Sequence, residues 1–244
     1  MREEPEEKGR MPDYQTAAGA IQKVSAFRFF SSGSPGIDSL LQGGFRTGRV
    51  TELFGRSGSG KTLLAAQTAL LAAKEGKKSL YVDTEGSFRP ERLQQMAESR
   101  GWDLGGLLEN IIYVRTDSAA EQLETVRRMA HREATAPCAL VIVDTLTRNF
   151  TVELPGRSNI SSRQAALNVY MSEIARDAYL NGRAYLLANR VTFGAVNDIG
   201  IGGRTVDQLV QVTLRLERAD GQVKTTIVHS GESVMARIGP GGIS

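Results

Sequence analysis

Eight consecutive residues, Gly55-Arg56-Ser57-Gly58-Ser59-Gly60-Lys61-Thr62, carry the spacing G-x-x-x-x-G-K-T. A glycine-rich turn of this kind gathers several backbone N–H groups into one concavity, where they wrap phosphate oxygens. Lys61 would bring a point charge to the β- and γ-oxygens, and the Thr62 hydroxyl is placed to hold Mg²⁺. A loop that also hydrolyses its ligand needs two further groups. One is a carboxylate at the end of a neighbouring buried strand, which orders the metal and its waters. Asp144, after the apolar residues 140–143, fits that need. The other is a base or orienter for the attacking water. Glu85 fits, just past the strand pattern of residues 79–83, where ligands of parallel sheets lie. Each acid also has a plainer reading: Asp144 as the cap of a turn, Glu85 as a solvated loop acid.

These groups need a scaffold that brings distant residues to one edge. Residues 49–54 read as a short strand before the loop, and residues 63–73, rich in Leu and Ala, as a helix after it. Strand patterns follow at 79–83, 111–114, 139–144 and 184–188, with helical patterns from Pro90 to Arg100, Ser118 to Arg132 and Ser161 to Leu180 between them. Such alternation implies an α/β fold, a mainly parallel twisted sheet with helices on both faces. The last stretch differs. Residues 209–218 alternate with period two, residues 222–229 and 233–238 do so less cleanly, and Asp220-Gly221 is a hairpin signal. The sheet is expected to finish with antiparallel strands.

The bulk numbers fit one α/β core. The chain has 244 residues, 41% hydrophobic and 23% charged, with a net charge of +3. That mild excess permits nucleic-acid binding without demanding it. Cys138 is alone, which excludes an internal disulfide, and His131 and His229 make no ligand pair. No apolar run approaches the ~20 residues of a membrane helix, and the acidic start resembles neither a secretory nor a transit signal. A cytoplasmic protein without membrane contact is expected. Residues 1–24 read as a flexible tail or linker and 25–244 as the ATPase domain.

Residues 33–44 (Gly-Ser-Pro-Gly-Ile-Asp-Ser-Leu-Leu-Gln-Gly-Gly), the phosphate loop, and residues 83–93 (Asp-Thr-Glu-Gly-Ser-Phe-Arg-Pro-Glu-Arg-Leu) together resemble the RecA/RadA recombinase family in its archaeal–eukaryotic branch. Further likenesses are the strand ending at Asp144, Gly156-Arg157, Arg163-Gln164, Ala188-Asn189-Arg190-Val191 and Gly202-Gly203, so the resemblance runs from about residue 14 onward. It implies a RecA-like ATPase core that uses ATP and Mg²⁺, binds single-stranded DNA in recombination and repair, and self-associates as a filament or ring or docks on a recombinase. It gives Glu85 the water-activating role, adds Leu63 to the nucleotide contacts and places Arg92 beside the adenine, where a guanidinium can stack. Residues 149–160 and 191–203 match the family's two DNA-binding loops. Arg157 and Arg163 are then phosphate contacts of the first loop, Arg204 a contact beside the second, and Phe193 a stacking residue. The plain alternative is a solvated charge for each arginine and a tucked ring for Phe193. Tyr14-x-x-Ala17 matches a protomer-docking motif that usually begins with Phe; packing on its own domain is the other reading.

Four departures bear on function. No helix-hairpin-helix domain is seen ahead of the core. Leu63 and Arg190 stand where the family usually has Gln, and the second loop is short and lacks Lys and Arg. In the family that second Gln reports the γ-phosphate to the second loop. Arg190 could strengthen this bond or break the coupling. These features resemble a short RadB-type paralog. Two further readings stay open: a mediator whose ATP is structural, and a KaiC-like signalling ATPase.

Overall fold

The computed structural model describes residues 27–130, 138–192 and 199–244. Tyr14, Ala17, His131 and Phe193 lie outside the described residues. Within them, β1 (Phe29–Phe30) and β2 (Phe45–Arg46) form a small antiparallel pair. The main sheet is built from β3 (Val50–Gly55), β4 (Ser79–Asp83), β5 (Ile111–Arg115), β6 (Leu140–Asp144), β7 (Ala184–Thr192), β8 (Ile199–Gly200), β9 (Val212–Ala219), β10 (Gln222–Ile227), β11 (Ser233–Gly239) and β12 (Gly242–Ile243). Its order is β12-β11-β10-β9-β3-β7-β6-β4-β5, with β8 paired to β7. The strands from β9 to β5 run parallel, and β10, β11 and β12 continue antiparallel from β9. The α/β reading, with antiparallel strands at the C-terminal edge, describes this sheet.

Successive strand residues point to opposite faces, and both faces are covered. Leu140 and Ile142 join Leu53, Tyr81 and Leu186 under the helices Lys61–Lys74 and Pro90–Glu98. Val141 and Val143 join Val82, Leu187 and Tyr185 under the helices Ala119–Ala130 and Ile160–Asn181. Burying each such side chain contributes about 1.5–3 kcal/mol, which locks the strand ends in register. The helix Lys61–Lys74 is buried on nearly all sides. Its Leu- and Ala-rich sequence suits that position in both propensity and size. Among the described residues, no helix is long and apolar enough to cross a membrane.

Gln67, fully buried in that helix, ties the two ends of the described chain together. Its Nε2 donates to the carbonyls of Ser32 and Ile243, both at 2.8 Å, and its Oε1 accepts the Ile243 N–H at 2.7 Å. Gly242 permits this approach, since a Cβ there would meet Gln67 Oε1 at 1.9 Å.

Two local expectations change. The period-two pattern from residue 209 becomes strand only at Val212, because Gln211 pairs with β3 partly through its side chain. Its Oε1 accepts the Val50 N–H at 2.8 Å, and its own N–H donates to the Val50 carbonyl. The segment matched to the first DNA loop contains a short helix, Arg148–Glu153.

Candidate active site

The parallel register brings the chemistry to one rim. Gly55 of β3 lies level with Arg190 of β7, and Asp83 of β4 level with Asp144 of β6. All four are at or near the C-terminal ends of adjacent parallel strands, where such sheets bind ligands. A cleft of about 410 Å³ opens there, lined by Lys61, Thr62, Glu85, Arg92, Asp144 and Arg190 among others.

The phosphate loop leads into the helix Lys61–Lys74 through Gly60, in the left-handed region at φ 104°, with Gly58 at φ 77°. Those conformations cost glycine little and turn the backbone amides inward. The Lys61 ammonium donates to the carbonyls of Gly55 (2.8 Å) and Arg56 (2.9 Å). Burial pulls it below the ordinary lysine range; Asp144 and Glu85 pull it back up, while Arg190 adds to the fall.

Asp144 is almost fully buried. Its Oδ2 accepts from the Tyr81 hydroxyl at 2.9 Å and from Ser87 Oγ at 3.3 Å. Burial raises the carboxyl above the usual range, and hydrogen bonds from Thr62 and Tyr81 oppose the rise. Thr62 and Asp144 line the same cleft, as a shared cation site requires.

Glu85 is placed by the carboxylate of Asp83, which has no exposure. Asp83 Oδ1 accepts the N–H groups of Glu85 (3.0 Å), Gly86 (2.8 Å) and Ser87 (3.1 Å), and Oδ2 accepts from Phe88 N–H (3.1 Å) and the Tyr113 hydroxyl (3.2 Å). A carboxylate collecting that many donors fixes the turn that presents Glu85. Glu85 Oε2 is paired with Arg190 Nη2 at 2.6 Å, and Glu85 Oε1 is buried without a partner among the described residues. A buried oxygen left open in this way is suited to a water or metal-bound ligand.

The remaining expected residues divide. Leu63 lines the cleft. Arg92 does too, but its guanidinium is held by Gln95 Oε1 (2.8 Å) and the Gly239 carbonyl (2.6 Å). Arg163 turns inward, donating to the carbonyls of Leu154 (2.6 Å) and Gly156 (3.4 Å), so it braces the first loop. Arg157 and Arg204 are exposed.

Sequence reasoning missed Asp83, Tyr81 and Ser87 as supports, and Arg218 as a cationic wall of the cleft. The acid closing the apolar strand at Asp83 was the available signal. Nothing in the sequence pointed to Arg218.

A family model described as Rad51 matches residues 24–233. The DNA repair and recombination protein RadA of Ignicoccus hospitalis is 32% identical over 224 residues, covering 85% of this chain and 68% of that protein. The protein of the same name from Aeropyrum pernix is 32% identical over 241 residues, covering 92% and 76%.

Proposed function

This chain belongs to the Rad51 family, and we propose that it is an ATP-dependent, single-stranded-DNA-binding protein of homologous recombination and repair. The observation that carries this reading is the rim on which the phosphate loop, Asp144, Glu85 and Arg190 converge. The residues fit ATP with Mg²⁺: a glycine cradle, a lysine, a hydroxyl that shares the cleft with a buried carboxylate, and an acid with one open oxygen. Thr62 and Asp144 would hold the metal, which when bound neutralises phosphate charge. The loop amides and Lys61 bind and orient the triphosphate, and Leu63 and Arg92 flank it. Glu85, fixed by Asp83, orients a water and takes its proton at Oε1. Arg190 holds Glu85 through Oε2, and a phosphate in the cleft competes for that guanidinium.

DNA contact falls to Arg157, Arg204 and Phe193, with Arg163 shaping the first loop. Tyr14 and Ala17 dock on a neighbouring copy or a recombinase, ahead of an ATPase domain beginning near residue 25. A cytoplasmic setting belongs to the same proposal.

The test is ATP turnover with and without single-stranded DNA. Stimulated turnover that Glu85→Gln lowers about 10²-fold or more supports the enzyme. Tight nucleotide binding with no stimulated turnover supports a second reading, a RadB-type mediator with structural ATP. The ion pair between Arg190 and Glu85 favours that alternative, because it occupies one carboxylate oxygen and must part before that oxygen can meet a water.

A further inference from the structure

One buried acid near the rim takes no part in the chemistry above. Glu52 sits in the middle of β3, three residues before the phosphate loop, and is 2% exposed. A carboxyl in that position is costly unless something uses it.

Its partner is Asn189, whose side-chain amide is fully engaged. Nδ2 donates to Glu52 Oε1 and to the Ile201 carbonyl, both at 2.7 Å. Oδ1 accepts from Thr147 Oγ1 and from the Arg190 backbone N–H, both at 2.9 Å. The Ile201 N–H returns to the Arg190 carbonyl at 2.9 Å. One amide thus joins four segments: the strand feeding the phosphate loop, the stretch after β6, the residue that grips Glu85, and the backbone just after β8.

We propose that Glu52 is a positioning residue, whose carboxyl oxygen orients the Asn189 amide and thereby sets Arg190 on one side and Ile201 on the other. Without an acceptor at Glu52, one Nδ2 hydrogen is buried unpaired and the amide loses the contact that distinguishes its two ends. Burial pushes the Glu52 carboxyl up to about 7, the bond from Asn189 lowers it, and the like charge of Asp207, on the short helix Arg204–Asp207, raises it. Its register neighbours, Leu187 on β7 and Thr213 on β9, carry no charge.

The catalytic consequence rests on the ATPase reading above; the positioning itself does not. The test therefore has two arms, run on the full chain as wild type, Glu52→Gln and Glu52→Leu. In the first arm, amide hydrogen exchange is followed residue by residue. The Leu variant is expected to speed exchange at Arg190 and Ile201 about tenfold, with Leu53 and Phe54 at wild-type rates. The Gln variant keeps an acceptor and stays near wild type. Glu52→Met, unbranched and without an acceptor, replaces Leu if that variant fails to fold. In the second arm, ATP turnover of the Leu variant shows a lower kcat with KM unchanged, and Gln restores it. Unchanged exchange in the Leu variant overturns the proposal. So does equal acceleration throughout β3 and β7, or a Gln variant that behaves like Leu. A wild-type protein without ATP turnover removes the ATPase reading alone and leaves exchange to decide on Glu52.

Discussion

The cleft proposed for the nucleotide and the loop proposed for DNA both present cations, but they hold them differently. In the cleft, Lys61 is tied to the Gly55 and Arg56 carbonyls of its own loop, Arg92 to Gln95 of its own helix and to the distant Gly239 carbonyl, and Arg190 to Glu85, all at 2.6–2.9 Å. In the loop, Arg157 is exposed, and Arg163 is consumed in bracing the loop's own carbonyls. A site that must meet one triphosphate in one pose gains from groups fixed before the ligand arrives. A polyanion read through its backbone needs charge near a surface more than a fixed geometry.

The largest effect should come from the buried side. Folded Glu52 keeps its proton up to about pH 7, while an unfolded chain releases it near 4.5, so the folded state binds more protons in between. Its contribution to stability is fully present below about pH 4.5, falls as pH rises toward 7, and is flat above. At about 1.4 kcal/mol per unit, the loss reaches up to about 3 kcal/mol. Denaturant unfolding of wild type and Glu52→Gln at pH 5 and 8 measures it. The wild type should lose more stability over that interval, and equal losses would remove the buried carboxyl from the account.

A middle-sized effect belongs to the loop. Arg157→Ala should weaken single-stranded-DNA binding about tenfold at low salt and reduce the salt slope by about 0.7, leaving Tm unchanged. Arg163→Ala should lower Tm instead. If the two variants behave alike, the contrast between exposed and braced arginines fails.

The smallest effect is expected at Arg190, whose side chain is 56% exposed. Exposed ion pairs are worth about 0–1 kcal/mol. Arg190→Gln should therefore raise DNA-free turnover only a few-fold, by freeing Glu85, and should shrink the DNA stimulation. Steady-state kinetics decides, and a fall in DNA-free turnover would mean that Arg190 serves the phosphate more than it restrains the acid.

The sheet and the phosphate loop were legible because their signals are local. Residues 55–62 carry the loop in eight positions, and the strand ends at Asp83 and Asp144 stand out as acids closing apolar runs. What stayed hidden is pairing across the chain. Arg190 meets Glu85 over 105 residues, and Asn189 meets Glu52 over 137. Neither contact leaves a periodicity. Arg163 is a further case: the sequence places it beside the segment matched to the first loop, and only tertiary structure shows that its guanidinium turns to the carbonyls of Leu154 and Gly156. Glu52 carried a signal that went unread, a single acid flanked by Val50, Leu53 and Phe54 in a fully buried strand.

Gln67 has a consequence for how this molecule can come apart. Because one side-chain amide of the helix Lys61–Lys74 clasps Ser32 and Ile243 at once, the last short strand cannot peel away quietly. Fraying there strands a polar group inside the apolar layer, on the same helix that presents Lys61. Disorder at the tail end is thus felt at the pocket proposed for the triphosphate, and whatever steadies that pocket also tightens the closing seam.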